Sequence, residues 1–173
     1  MTTVHVQRIR PGQGQHLRQL RLHSVTDADS AFAMSTEQLL NTTHDQWEQL
    51  CAHNSQGRDT IAVACTPAGD LVGMAAMRID PSPKLQHSGQ IWGVFVAPAW
   101  RGQAVGTRLM THIIDHGATL GLHSLKLSVT HLQHGAIRLY TQLGFTQYAY
   151  EPALLYVAGS YVDAIHMQYL YER

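Results

Sequence analysis

The chain has 173 residues, of which 45% are hydrophobic, and its twelve lysines and arginines balance twelve aspartates and glutamates. This length and composition are sufficient for one domain with a single core, and we expect residues 1–173 to form it. The balanced charge lacks the basic excess that binds nucleic acid or an anionic membrane, so it favours a small molecule or a peptide as the partner.

Several features predict a cytoplasmic protein. The arginine-rich segment 8–21 has no apolar centre of the kind that signal peptides carry. The longest uncharged apolar stretches, such as 91–100, are much shorter than the roughly 18 residues of a membrane span. Cys51 and Cys65 have no metal-ligand spacing, and we expect them to be buried thiols in a reducing compartment.

The twelve histidines raise the question of a metal site. His112 and His116 have helical spacing, and His131 and His134 lie close together in the chain. However, no glutamate follows His112 as in the HExxH motif, and a third ligand is not evident. We therefore predict solvated or capping histidines and no metal centre.

The N-terminal half reads as one strand followed by helices. Residues 4–9 alternate in hydropathy, and the pair Pro11-Gly12 ends this strand. Residues 17–25 have helical apolar spacing. The irregular, polar segment 26–43 predicts a loop or a short helix outside the core. A capping box of Thr43 and Gln46 then begins another helix.

Three strands are predicted next. Residues 59–65 and 71–79 form a hairpin around the turn at 67–70. A proline-rich loop over 81–89 separates this hairpin from a strand at 91–96, which Pro98 ends.

Helices and strands alternate in the C-terminal half. A wide apolar stripe predicts a core-facing helix that begins near Gly102. Residues 125–129 alternate as a strand, and residues 136–143 form a helix that Gly144 ends, because glycine favours the left-handed position after a helix C-terminus. Residues 162–171 are long enough for a closing strand.

Residues 94–107 have the chemistry of an anion site. A strand that ends at Pro98 and leads into a helix near Gly106 brings unpaired amides together at a helix N-terminus, where the helix dipole favours negative charge. The small residues Gly102, Ala104 and Gly106 allow close approach, and Arg101 can add positive charge. Taken alone, the segment also fits an ordinary strand-to-helix turn with a packing glycine.

Two motifs carry a resemblance to a known family. Residues 96–106 resemble motif A of the GNAT superfamily of acyl-CoA-dependent N-acetyltransferases, with Arg101, Ala104 and Gly106 at its three defining places. The family more often has glycine where this chain has Ala104. About 30 residues onward, segment 135–145 resembles motif B.

The resemblance implies an α/β fold with a central mixed, mostly antiparallel sheet of about seven strands, flanked by about four helices. It also implies acetyl-CoA as co-substrate. The main chain of Phe95 and Val96 would hold the pantetheine arm, and Tyr140 would be the general acid for the departing thiolate. Gln133 stands where the family often has asparagine. The implied pyrophosphate-binding residues are Arg101, Gly102, Gln103, Ala104, Val105, Gly106 and Thr107.

The acceptor side is less defined. Residues 21–32 resemble a pattern of substrate-side helices, Arg-Leu-x-x-Leu-x-x-x-Pro-x-Ala-Phe, with Val25 in place of leucine and Asp29 in place of proline. Many relatives carry a glutamate base on the fourth strand, but residues 90–96 contain no acid. Other candidates for the base are Glu37, Asp80, His87 and Glu151.

Three hypotheses follow. The leading one is an N-acetyltransferase that acts on a primary amine of a small molecule or a peptide by direct attack in a ternary complex. The second is a GNAT-like module that binds acyl-CoA without turnover, as a sensor or scaffold. The third, a histidine-rich metal-binding protein, is disfavoured because the histidines lack metal-ligand spacing. Many relatives pair through their final strands, so a homodimer is an open alternative to a monomer.

Overall fold

The computed structural model describes residues 4–172, apart from the side chain of Asp29. The predicted mixed, mostly antiparallel sheet of seven strands is confirmed. The strands are β1 (His5–Arg8), β2 (Thr60–Cys65), β3 (Leu71–Ile79), β4 (Ser88–Val96), β5 (Ser124–Thr130), β6 (Thr146–Val157) and β7 (Ser160–Leu170).

Five α-helices flank the sheet within the described residues, one more than the four expected. They are α1 (Gly14–Asp27), α2 (Thr36–Asn41), α3 (His44–Asn54), α4 (Val105–Thr119) and α5 (His134–Gln142). Single turns of 3-10 helix occur at Asp29–Ala31 and Pro98–Trp100. In the part of the chain described, no helix is both long enough and apolar enough to cross a bilayer.

The strand order β1-β2-β3-β4-β5-β7-β6 contains one parallel pair, β4 with β5. This pair is short, because only Ser88–Gln90 and Ser124–Lys126 are in register. Beyond Gln90 the two strands diverge, and residues 91–96 of β4 keep strand pairing on the β3 side. The divergence opens a gap in the middle of the sheet.

Both faces of the sheet are covered, so β2 is buried along its whole length. Because side chains alternate across a strand, Ala62 and Ala64 join the core beneath α4 and α5, whereas Ile61 and Val63 join the core beneath α1, α2 and α3.

Several predicted elements are confirmed. The hairpin of β2 and β3 pairs antiparallel. Thr43 and Gln46 form both hydrogen bonds of a capping box at the start of α3. After α5, Gly144 has a φ of 93°, the left-handed conformation expected there. Cys51 and Cys65 are buried free thiols.

Three expectations need correction. The helix predicted near Gly102 begins at Val105, since Gly102 and Ala104 have φ values of 73° and 55°, which a right-handed helix does not allow. Segment 26–43 is not outside the core, because Leu39 of α2 is fully buried. The fourth strand begins at Ser88 rather than at Ile91.

Candidate functional site

A cavity of about 1160 Å³ lies beside the end of β4, beyond the point where β4 and β5 diverge. One end is formed by the turn before α4 and by the start of α5, and the other by the C-terminal end of α1 with the 3-10 turn that follows. The end of β4, Val94–Val96, forms its floor, and Tyr140 lies on its wall. Nearly all the residues implied by the two sequence motifs therefore meet at one place.

Two helix N-termini face this cavity. Residues 104–107 of α4 and residues 133–136 of α5 line it. Neither helix has a side-chain hydrogen bond at its N-cap, which is Ala104 in α4 and Gln133 in α5. The amides of both first turns, together with the positive ends of two helix dipoles, are thus available to an anion.

The turn before α4 is shaped by two left-handed residues. No atom lies within 4 Å of the position that a Cβ on residue 102 would occupy. The positive φ, and not a clash with a neighbour, therefore favours glycine there. Ala104 adopts a left-handed conformation that costs a non-glycine residue roughly 1–2 kcal/mol. These conformations turn the chain from the end of β4 into α4.

Gly106 serves packing as well as access. A Cβ there would lie 3.1 Å from Cδ2 of Leu139 and 3.8 Å from Cγ2 of Val96. Its absence lets the first turn of α4 approach α5 and β4 closely, which brings the two helix N-termini together. The packing-glycine interpretation and the anion-site interpretation are therefore both compatible with this residue.

Arg101 is held by the α1 end of the cavity. Its Nε donates a hydrogen bond to the carbonyl of Val96 at 2.9 Å, and its guanidinium forms an ion pair with Asp27 at the end of α1. The guanidinium also lies over the ring of Phe95, 5.8 Å from the centroid. Asp27 balances the positive charge, so the arrangement ties α1 to β4 and leaves the helix amides as the main anion-binding groups.

Gln103 is the one residue of the implied pyrophosphate loop that does not line the cavity. Its side-chain amide instead donates to the carbonyl of Ala99 at 3.2 Å. Its contribution is to the shape of the turn.

β4 is distorted before it reaches the cavity. Gly93 has a φ of 64°, and the register with β3 shifts between Met74 and Ala76, which is a β-bulge. The bulge redirects Val94, Phe95 and Val96, whose main chain has no partner strand on the β5 side. The Phe95 side chain is buried toward α1, so the strand presents main-chain groups to the gap.

Tyr140 is 5% exposed and packs 6.0 Å from the ring of Phe145, measured between centroids. Tyr140 lines the cavity, and no hydrogen-bonded partner contributes to the pKa of its phenol. Burial raises the pKa of Tyr140 well above the usual value for a phenol. The phenol is therefore protonated at neutral pH and has a proton to donate.

The four candidate bases do not line the cavity. Asp80 and His87 lie at the far end of β3 and β4 from Phe95. Glu151 is bound to His166 at 2.7 Å on the outer strands, and Glu37 is in the first turn of α2.

Among described side chains that line the cavity, Asp27 is the one carboxylate and His134 the one imidazole. Neither residue was predicted from the sequence to belong to this site. The exposed ring of His23 lies 5.5 Å from that of Phe95. No local signal marks these three groups, because tertiary packing alone brings them near the end of β4.

The histidine pairs have ordinary partners. His116 donates from Nε2 to the carbonyl of Arg58 at 2.9 Å, and Nδ1 of His131 lies 3.2 Å from the carbonyl of Asp163. Within residues 4–172, His, Cys, Asp and Glu side chains form no group of three that could hold a metal ion.

Comparison with known proteins supplies the context for this geometry. The model of the acetyltransferase (GNAT) family matches residues 23–145. An L-methionine sulfoximine/L-methionine sulfone acetyltransferase of Salmonella typhimurium is 32% identical over 75 residues, which are 43% of this chain and 44% of that protein. Streptothricin acetyltransferase of Streptomyces lavendulae is 32% identical over 118 residues, 68% of this chain and 58% of that protein. These matches span about half the length of the two curated relatives.

Solved structures share the fold. A GNAT acetyltransferase from Streptococcus pneumoniae superposes with a TM-score of 0.90 at 17% identity, covering 98% of this chain and all of that one. A Salmonella typhimurium structure determined with its cofactor acetyl-CoA has a TM-score of 0.77 at 19% identity, covering 99% and 96% of the two chains.

Proposed function

Since the chain belongs to the GNAT family of acetyltransferases, we propose that it transfers the acetyl group of acetyl-CoA to a primary amine by direct attack in a ternary complex. One observation carries this proposal. One cavity is lined by two helix N-termini without side-chain caps, by the end of β4 beyond its pairing with β5, and by Tyr140. These are the groups needed to hold a pyrophosphate, a thioester and a leaving thiolate.

Each part of acetyl-CoA has a place in this arrangement. The amides of residues 101–107 hold the pyrophosphate, together with those at the start of α5 around Gln133. The main chain of Phe95 and Val96 holds the pantetheine arm, and an N–H there polarises the thioester oxygen. The acetyl group then lies between Tyr140 and the end of α1.

The chemical step is an acyl transfer without an enzyme-bound intermediate. The amine nitrogen attacks the thioester carbon, so a C–N bond forms and the C–S bond breaks. Tyr140 donates its proton to the departing thiolate, and water restores it. The proton of the attacking ammonium leaves through water or a group at the α1 end of the cavity, because β4 carries no acid between Gln90 and Val96.

The acceptor is a primary amine of a small molecule or a peptide, and two observations support the small molecule. The two curated relatives are an acetyltransferase of L-methionine sulfoximine and L-methionine sulfone and an acetyltransferase of streptothricin. The formal net charge of zero gives no steering toward a strongly charged macromolecule. We place the enzyme in the cytoplasm, where its buried free thiols remain reduced.

We also propose that two copies pair through the outer strands. β6 is the edge strand of the sheet, and Tyr148, Tyr150 and Tyr156 are exposed along it, with Tyr161 72% exposed on β7. Light scattering coupled to gel filtration tests this pairing: a dimer mass that Tyr156→Lys lowers to the monomer mass is expected, and a monomer mass for the native chain contradicts it.

A second candidate function is acyl-CoA binding without turnover. Asp27 is the one carboxylate among the described side chains that line the cavity, and it forms an ion pair with Arg101. This pairing favours the second function, because Asp27 is then not free to act as a base. Thiol release from acetyl-CoA across a panel of small amines and peptides, combined with calorimetric titration of acetyl-CoA, separates the two. Binding with amine-dependent thiol release is expected for the enzyme. Binding without release by any amine would establish the second function, and absence of binding would exclude both.

A further inference from the structure

Arg21, on α1, is a buried cation without a matching anion. The residue is 5% exposed, and its Nη1 has no hydrogen-bond partner. Its Nη2 reaches only the thioether sulfur of Met34, at 3.8 Å. Among side chains that the structure describes, no carboxylate forms an ion pair with it.

The faces of this guanidinium are covered, but its edge is not satisfied. The Phe32 ring lies 5.3 Å from the guanidinium carbon and the Trp92 ring 5.9 Å. Aromatic rings stabilise a cation through its face and accept no in-plane N–H bond of ordinary strength. Of the two terminal nitrogens of Arg21, Nη2 therefore has only a weak sulfur acceptor and Nη1 has no acceptor.

The guanidinium lies behind Phe32, next to the end of the cavity that α1 and the following 3-10 turn form. A Cβ on Gly93 would lie 3.4 Å from Nη1 of Arg21, so this nitrogen touches the bulge of β4 two residues before Phe95. Phe32, which covers the guanidinium, also lines the cavity. An acceptor bound beside the end of β4 would thus lie next to Arg21.

Burial of an unpaired charge is unfavourable, and desolvation lowers the pKa of Arg21 without another charge to offset it. A carboxylate is the ligand that an arginine edge recognises best, through two parallel N–H···O bonds. Met34 is unbranched and 38% exposed, so it can be displaced from the guanidinium at little cost.

We propose that Arg21 binds the α-carboxylate of the acceptor, and that the acceptor class is therefore amino acids and close amino-acid analogues. The inference rests on the acetyl transfer proposed above. The α-amine of such an acceptor attacks the thioester carbon while Arg21 holds the carboxylate, and the products are an N-acetyl amino acid and CoA with a free thiol.

The test compares each amino acid with its own α-carboxamide, which keeps the amine and removes the negative charge. The panel contains L-amino acids and L-methionine sulfone. We expect the native enzyme to turn over at least one acid with a kcat/KM about 30-fold above that of its amide, the lower limit for a buried charged pair. Arg21→Met should remove most of this preference by lowering kcat/KM of the acid about 30-fold, while the amide changes less than about threefold.

Controls separate recognition from structure. Arg18→Met removes a cation one turn earlier on α1 and should leave the preference intact. Arg21→Lys keeps the positive charge but cannot form two parallel N–H···O bonds, so it should retain part of the preference for the acid over the amide. Equal losses on acid and amide in Arg21→Met, or a native enzyme without preference for any acid, would overturn the proposal.

A binding experiment keeps this inference separate from the proposed activity. Calorimetric titration of N-acetyl-L-methionine sulfone into the complex with CoA should show binding that Arg21→Met weakens about 30-fold. If acetyl-CoA binds but no amine releases thiol, the proposed activity fails, whereas this titration still decides the role of Arg21. No difference between the native protein and Arg21→Met in both experiments would reject it.

Discussion

Replacement of Tyr140 by phenylalanine removes the proposed proton donor and little else. The ring keeps its place against Phe145, because the two side chains differ only in the hydroxyl. Desolvation alone raises the pKa of Tyr140, with no hydrogen-bonded partner contributing, so loss of the hydroxyl leaves no buried partner unsatisfied. We expect the free energy of unfolding to change by less than about 0.5 kcal/mol.

The catalytic loss follows from the environment of the phenol. General acids contribute about 10²–10⁴-fold to rate. Burial raises the pKa of Tyr140, which makes it a weaker acid toward the thiolate, so the lower end of this range applies. We expect kcat to fall about 100-fold, or about 2.7 kcal/mol in activation free energy, with the KM for acetyl-CoA almost unchanged.

The raised pKa also predicts the pH dependence of the native enzyme. A donor must be protonated to act, and a raised pKa extends the protonated form to higher pH. Ionisation of Tyr140 should therefore cause no fall in kcat between about pH 7 and 10. A fall in this range that Tyr140→Phe removes would contradict the assignment.

Tyr169→Phe is the matched control. Tyr169 packs on the same Phe145 ring, 5.5 Å between centroids, but does not line the cavity. Its replacement should leave kcat within about twofold of the native value. Stopped-assay kinetics and melting curves of both variants test the proton-donor role of Tyr140. If Tyr140→Phe keeps kcat within about threefold of the native value, that role is refuted.

Three further outcomes are expected. Ala104→Gly relieves a left-handed alanine and should raise the Tm by about 1–2 °C, after allowance for the greater freedom of unfolded glycine; a lower Tm would contradict the strain. Gly102→Asp should weaken acetyl-CoA binding at least about tenfold in calorimetry, whereas Gly57→Asp, also at a positive φ in open space, should not; equal affinities would remove the loop from the site. Burial raises the pKa of Cys51 to about 12 and also raises that of Cys65, so iodoacetamide at pH 8 should label neither thiol in the native protein by intact mass, and fast labelling would show that they are accessible.

The parts of the site that could be predicted from sequence are those built by short segments. Residues 94–107 and 135–145 each contain a strand-to-helix or helix-to-strand turn whose glycines and helix starts are local properties. Their meeting in one cavity follows from the topology, because α4 and α5 begin beside the diverging ends of β4 and β5. The start of α4 was misplaced because alanine at position 104 gives no sign of a left-handed conformation.

Other features lack a local pattern. β6 was not predicted from hydropathy, because its outer position exposes most of its side chains and two irregularities interrupt its register with β7. Leu39 lies in segment 26–43, which the sequence predicts outside the core because polar residues surround this single buried position. The partners of Arg101 and Arg21 are likewise set by packing between distant segments, so only the structure reveals which cation is balanced.

The central claim is tested most directly by mass spectrometry of an amine panel incubated with acetyl-CoA and the native protein. At least one amine should gain the mass of an acetyl group, with release of an equal amount of free CoA, and Tyr140→Phe should slow both about 100-fold. Acetyl-CoA that binds tightly in the cavity yet leaves every amine unmodified would contradict it.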